Sequence, residues 1–363
     1  MPLAKLTNEV SFYFEDYGAP PSNTQNYTTL VMLHGGAVHS ATFRRLIPFA
    51  HQNNIRLVLV NRRGYPGTTP FTASELQCIY TADLPAQSDL LRSQGAYVAE
   101  FLLWFIRKEG IPPKLDTDGE KSGGISVLGW SIGNAPVISF LAHAHELSDA
   151  DQAVLGAYLR TAIMYDPPSV TLGLPPPPPS PSGAFYAPGA EMELSMAERL
   201  LLCIQWVSTY NKHANLASRD PNGLVTGPHP PYAALDPLPL LVAMSQEEVA
   251  AQTDLEAFAA EALFYLIPAD VYHSEFIQAY FPSLAEKAGG AGTTPALPDV
   301  RVRHVWCDMS VWQTVWAAWG VEKMLQEHKN GGRDVELVPL KGVNHFAHWD
   351  EPEKVMTLFA SLA

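Results

Sequence analysis

The sequence predicts an α/β protein built on one doubly wound, mostly parallel sheet, and three observations carry that expectation. Short runs rich in β-branched residues are apolar almost throughout, as strands covered on both faces must be. Stretches long enough for crossover helices separate them. The alternation breaks off once, after Pro168, and resumes near residue 299, which predicts an insertion into a single core.

In chain order, the N-terminus "MPLAKLTNEVSFYFEDYG" alternates like a strand. The runs "TTLVMLHGG" (Thr28 to Gly36), "RLVLVNRRG" (Arg56 to Gly64), "GISVLGWS" (Gly124 to Ser131) and "RTAIMYDPP" (Arg160 to Pro168) read as parallel strands, with helices over Ala86 to Glu109 and Gly133 to Leu147. Residues 169 to 298 open on "LGLPPPPPSPSG", show helical patterns around Ser195 to Ala214, Ser245 to Leu266 and Asp270 to Lys287, and close on "GGAGTTPALP". The proline tract reads as a stiff exposed linker in preference to a polyproline ligand for an SH3-like partner. Strands resume at "VRVRHVWCDMS" (Val300 to Ser310) and "DVELVPLKGVNH" (Asp334 to His345). Between them Trp312, Trp316 and Trp319 lie at helical spacing, a core stripe in preference to a ligand box. The organisation expected is a core in two parts, 1–168 and 299–363, with 169–298 as a helical lid.

Composition narrows the function. With 363 residues and 47% hydrophobic content the chain can bury a large core. A formal net charge of -14 opposes binding to nucleic acid and to anionic membrane surfaces. No apolar run reaches the roughly 18 residues that span a bilayer, and no basic head precedes an apolar segment, so a cytoplasmic protein is expected. Cys78, Cys203 and Cys307 form neither a disulfide framework nor a CxxC pair and receive no role. No metal-ligand spacing appears, and no cofactor is expected.

Gly129-Trp130-Ser131-Ile132-Gly133 ends a strand and opens a helix. A turn that sharp strains its central residue and brings the residues two before and two after too close for side chains, which is the steric signature of a nucleophile elbow. Three further segments follow the same grammar: "LHGG" after the first long strand, "NRRGYPGTTP" (Asn61 to Pro70), and "GVNHFAHWDEPEK" after the last strand. Together the four resemble the α/β-hydrolase superfamily, with wording similar to a fungal branch of it. The resemblance runs through the core and fails in the insert.

That resemblance implies roles. Ser131 would be the nucleophile and His345 the base, with His348 set aside. "LHGG" resembles the oxyanion loop, so the N–H of Gly36 or Ala37 would join that of Ile132 in the hole. "NRRGYPGTTP" resembles the family's Asp-x-Arg-Gly-x-Gly-x-Ser turn, with Asn61 in place of the acid and one extra residue at Tyr65-Pro66, and reads as structural. A serine hydroxyl needs a base to take its proton, and the imidazole needs a carboxylate to fix its tautomer. Two acids end a core strand: Asp308 in "WCDMS" and Asp166 in "MYDPP". Asp308 is favoured and Asp166 is the alternative, although Cys307 stands where the family's Gly-x-x-Asp spacing has its glycine. Without an Asp at the elbow, haloalkane dehalogenase and epoxide hydrolase chemistry is disfavoured. The expected activity is hydrolysis of a carboxylic ester, lactone or thioester of a hydrophobic small molecule through an acyl-enzyme. Acyl transfer or lyase chemistry at the same site, and a non-catalytic ligand receptor, are the alternatives; oligomeric state is not encoded in any motif.

Overall fold

The computed structural model describes residues 2–6, 10–22, 25–117, 120–179, 185–188, 191, 193–227, 232–287, 296–328 and 332–363. Eight strands form one sheet: β1 (Leu3–Lys5), β2 (Ser11–Asp16), β3 (Thr28–Leu33), β4 (Ile55–Val60), β7 (Ile125–Trp130), β8 (Leu159–Tyr165), β9 (Arg301–Cys307) and β10 (Val335–Leu340). A separate hairpin pairs β5 (Leu115–Thr117) with β6 (Glu120–Ser122). The sheet order is β1-β2-β4-β3-β7-β8-β9-β10. The neighbours from β4 to β10 pair in parallel, while β2 joins β4 and β1 joins β2 antiparallel.

Side-chain alternation divides each central strand between two cores. Val31, Leu33, Val58, Val60, Val127 and Met164 face one layer, and Leu30, Met32, Leu57, Leu59, Leu128 and Ile163 face the other. The first layer is covered by helix α1 (Leu84–Glu109), α2 (Asn134–His143) and α3 (Asp149–Tyr158). Asp83 caps α1 by accepting the Ala86 N–H at 3.1 Å, and the helix stops at Gly110 in left-handed conformation (φ +58°).

The segment between β8 and β9 adds no strand to the sheet among the described residues. It carries α4 (Met196–Val207), α5 (Gln246–Ala250), α6 (Leu255–Ala262) and α7 (Ala269–Tyr280). The helical pattern expected over Ser245 to Leu266 is broken into α5 and α6, because Asp254 caps a new helix by accepting the Ala257 N–H at 2.7 Å. The break has a partner: Thr253 forms a bridge with Val38, and His39 N–H donates to Gln252 O at 2.7 Å. The α7 helix buries Phe276, Ala279 and Tyr280 with the strands, so this part of the insertion belongs to the layer around the sheet.

After β9, α8 (Trp312–Glu327) packs Trp312 and Trp319 with Trp206 and Trp306, while Trp316 of the expected stripe is only half-buried against this cluster. The final helix α9 (Pro352–Leu362) closes the second layer. Of the proline tract, Pro175 accepts a hydrogen bond from Trp316 at 2.8 Å; its end at 180–184 and the stretch 288–295 of the Gly/Pro linker lie outside the described residues.

Candidate active site

Ser131 leaves the carboxyl end of β7 with φ +54°, a left-handed conformation that costs a side-chain-bearing residue about 1–2 kcal/mol. The surroundings enforce it. A Cβ on Gly129 would lie 2.5 Å from Gly133 O, and one on Gly133 would lie 2.2 Å from His34 O. Both positions therefore exclude side chains, and the chain can reverse only over the serine. Asn134 fixes the turn, its Nδ2 donating to Ser131 O at 2.7 Å and to Tyr165 O at 3.1 Å, which ties the elbow to the end of β8.

Register brings an acid to the same level. Trp130 pairs with Tyr165, and Tyr165 with Val305, so the residues that follow on β7 and β8 emerge side by side. Asp166 turns at φ +48°, and its Oδ2 lies 2.6 Å from His345 Nδ1. The carboxylate is wholly buried and held from two more directions: Oδ1 accepts the Cys307 N–H at 2.9 Å and Oδ2 accepts the Ser310 hydroxyl at 2.6 Å. A carboxylate accepts, so Nδ1 carries the proton and Nε2 is left as the acceptor.

This corrects the favoured assignment. Asp308 lies one residue past β9 and is half-exposed, and its Oδ1 accepts the Gly342 N–H at 2.7 Å, bracing the turn that precedes the histidine loop. Its strand-end neighbour Cys307 turns its N–H to Asp166, so the shared site is filled by the acid from β8. His348 is buried between Thr42 Oγ1 (3.1 Å) and Tyr165 Oη (3.4 Å). Burial, and then the neighbouring His345, hold its pKa well below the usual imidazole value. No hydrogen bond joins Ser131 Oγ to His345 among the described residues. The imidazole instead packs 5.0 Å from the Trp130 ring, whose Nε1 donates to His345 O at 3.1 Å.

The loop His34–Ala37 lies against the elbow. His34 Nε2 accepts the Arg62 N–H at 3.0 Å, so its Nδ1–H donates to Gly35 O at 2.8 Å. Burial, and then Arg62, keep this imidazole neutral by pushing its pKa well down. The Gly36 N–H has no partner among the described residues. Asn61, in place of an acid, accepts the Ser40 N–H at 3.0 Å and donates to Pro66 O at 2.8 Å. A crevice between core and insertion is lined by Ile132, Phe12, Leu33, Phe71, Leu91 and Phe264 together with Arg62, Arg63 and Glu261; Ser131 and His345 do not line it.

Sequence reasoning did not assign Ser310, Asn134 or Glu261. Ser310 and Asn134 each lie within three residues of a recognised position, but a hydroxyl or amide carries no spacing signal of its own. Among the described residues no group of His, Cys, Asp and Glu could hold a metal ion, and no helix is long and apolar enough to cross a membrane.

Among solved structures, a bromoperoxidase from Bacillus anthracis is 12% identical with a TM-score of 0.52, over 99% of each chain. A Vigna radiata epoxide hydrolase mutant is 14% identical with a TM-score of 0.50, over 99% of this chain and 97% of that one. AqDC, solved in connection with recognition and ring-cleavage of the Pseudomonas quinolone signal, is 12% identical with a TM-score of 0.51, over 100% and 98%. These likenesses show a shared fold. No curated protein matches the sequence. The model of the alpha/beta hydrolase family matches residues 30–358, nearly the whole chain, and the chain belongs to that family.

Proposed function

We propose that this protein is a serine hydrolase that cleaves a carboxylic ester, lactone or thioester of a hydrophobic small molecule through an acyl-enzyme. The observation that carries the reading is the buried 2.6 Å contact between His345 Nδ1 and Asp166, set beside a serine held at φ +54°. Ser131 Oγ attacks the carbonyl carbon while its proton passes to His345 Nε2, and Asp166 stabilises the imidazolium. The oxyanion is met by the N–H groups of Gly36 and Ile132. Gly36 is preferred to Ala37 because the carbonyl of its own peptide, Gly35 O, is held by Arg62 and His34. Collapse expels the alcohol or thiol, which takes the proton from Nε2, and water then attacks the acyl-enzyme by the same route. The largely apolar lining of the crevice beside Ile132 supports a hydrophobic substrate, and Phe264, which lines it from the insertion, supports a lid role for that segment short of α7.

A fluorophosphonate probe tests the reading, because an activated serine attacks phosphorus as it attacks carbonyl carbon. One adduct on Ser131 is expected, lost in Ser131→Ala. Folded protein without an adduct, or an adduct elsewhere, would overturn the assignment.

A further inference from the structure

Glu261 is a carboxylate in an unexpected place. It stands on α6 of the insertion, its side chain 7% exposed, and points at the loop proposed to bind the oxyanion. A Cβ built on Gly36 would lie 3.0 Å from Glu261 Oε2, so the carboxylate sits beside the Gly36 position of the proposed hole. Left alone there, a negative charge would oppose a developing oxyanion and would be costly to bury. It is not alone: Oε1 pairs with Arg62 Nη2, and Oε2 accepts the Tyr65 hydroxyl.

Arg62 carries the contact onward. Its Nε donates to His34 O at 2.7 Å and its Nη2 to Gly35 O at 2.8 Å. The Gly35 carbonyl and the Gly36 N–H belong to one planar trans peptide and point in opposite directions. Holding the carbonyl therefore aims the N–H. Arg62 and His34 grip that carbonyl from inside the core, and Glu261 fixes the guanidinium from the insertion. A second contact docks the same segment on the same loop, the bridge between Val38 and Thr253 just beyond Ala37.

We propose that Glu261 is a positioning residue: through Arg62 it sets the peptide that presents the Gly36 N–H, so docking of the insertion completes the oxyanion hole. This rests on the serine hydrolase reading above. A planar guanidinium can meet two carbonyls and a carboxylate at once, which an ammonium cannot do in the same geometry. Closure and electrophile stabilisation are thereby one event.

The test uses the full chain, the rate of fluorophosphonate labelling at Ser131, and turnover of a p-nitrophenyl ester. Deleting a hole donor outright costs about 10²–10³ in kcat. Glu261→Leu, which leaves the donor but frees its support, is expected to slow labelling and kcat at least about tenfold, with KM moved less than about threefold. Glu261→Gln, which keeps an acceptor for Arg62, is expected to fall between. If Glu261→Leu does not fold, Arg62→Lys must show the same slowing. A folded variant that labels and turns over like the wild type, or a loss confined to KM, overturns the proposal. Failure of the wild type to label would instead remove the serine hydrolase reading itself.

Discussion

Asp166 and Asp308 have the same charge and both end a strand, yet only one reaches His345. What separates them is backbone direction: Asp166 turns back at φ +48° under Cys307 and Ser310, while Asp308 continues toward the Gly342 turn. Asp→Asn preserves shape but allows the wrong imidazole tautomer, a loss of about 10⁴ in a serine protease. Asp166→Asn is therefore expected to lower kcat by at least about 10²-fold, and Asp308→Asn to change it only a few-fold, both at unchanged circular dichroism. Steady-state kinetics on one ester decide the ranking, and the reverse order would return the acid to Asp308. That Asp166, and not Asp308, meets His345 was poorly legible because a left-handed aspartate and a parallel register are tertiary facts; "MYDPP" and "WCDMS" both look like strand ends. The sharp turn over Ser131 was legible because glycine spacing is written locally.

The elbow shows how much an element can dictate. Strand, reversal and helix were all visible in "SVLGWSIGNAP", since packing at Gly129 and Gly133 leaves a one-letter trace. The insertion was less legible. Its helix pattern over Ser245 to Leu266 hid the interruption at Gln252–Asp254, which exists because that backbone docks on Val38 and His39. Gly133→Ala places a Cβ 2.2 Å from His34 O, against the loop that Arg62 grips. Overpacking of that kind costs about 1–3 kcal/mol, so denaturant melts should show a loss in this range together with slower probe labelling. A variant as stable and as reactive as the wild type would contradict the steric account.

At the scale of the molecule, core and insertion are joined by ionisable groups. His143, at the end of α2, meets Glu275 of α7 at 2.9 Å and Glu146 at 3.1 Å, and Glu146 also pairs with Arg92. Burial alone would lower the His143 pKa, but the bonds and charges of Glu275 and Glu146 outweigh it and raise the value. A folded pKa above the unfolded value of about 6.5 means that the cation's stabilisation is fully present below that pH and lost as pH rises through the folded value. Thermal melts from pH 6 upward should fall for the wild type and fall less steeply for His143→Gln; parallel curves would refute the link. The joint lies across a long interval of chain. Asp166 precedes the insertion, while Cys307 and Ser310, which hold its carboxylate, and His345 all follow it. Parallel pairing across such an interval is among the slowest steps a chain takes, because loop-closure entropy must be met before any contact rewards it. Secondary structure can precede that pairing, but the contact between Asp166 and His345 cannot. On the serine hydrolase proposal, a chain with β8 made and β9 not yet formed would carry Ser131 without the contacts that Cys307, Ser310 and His345 make to Asp166, so probe labelling would have to wait for the last strands.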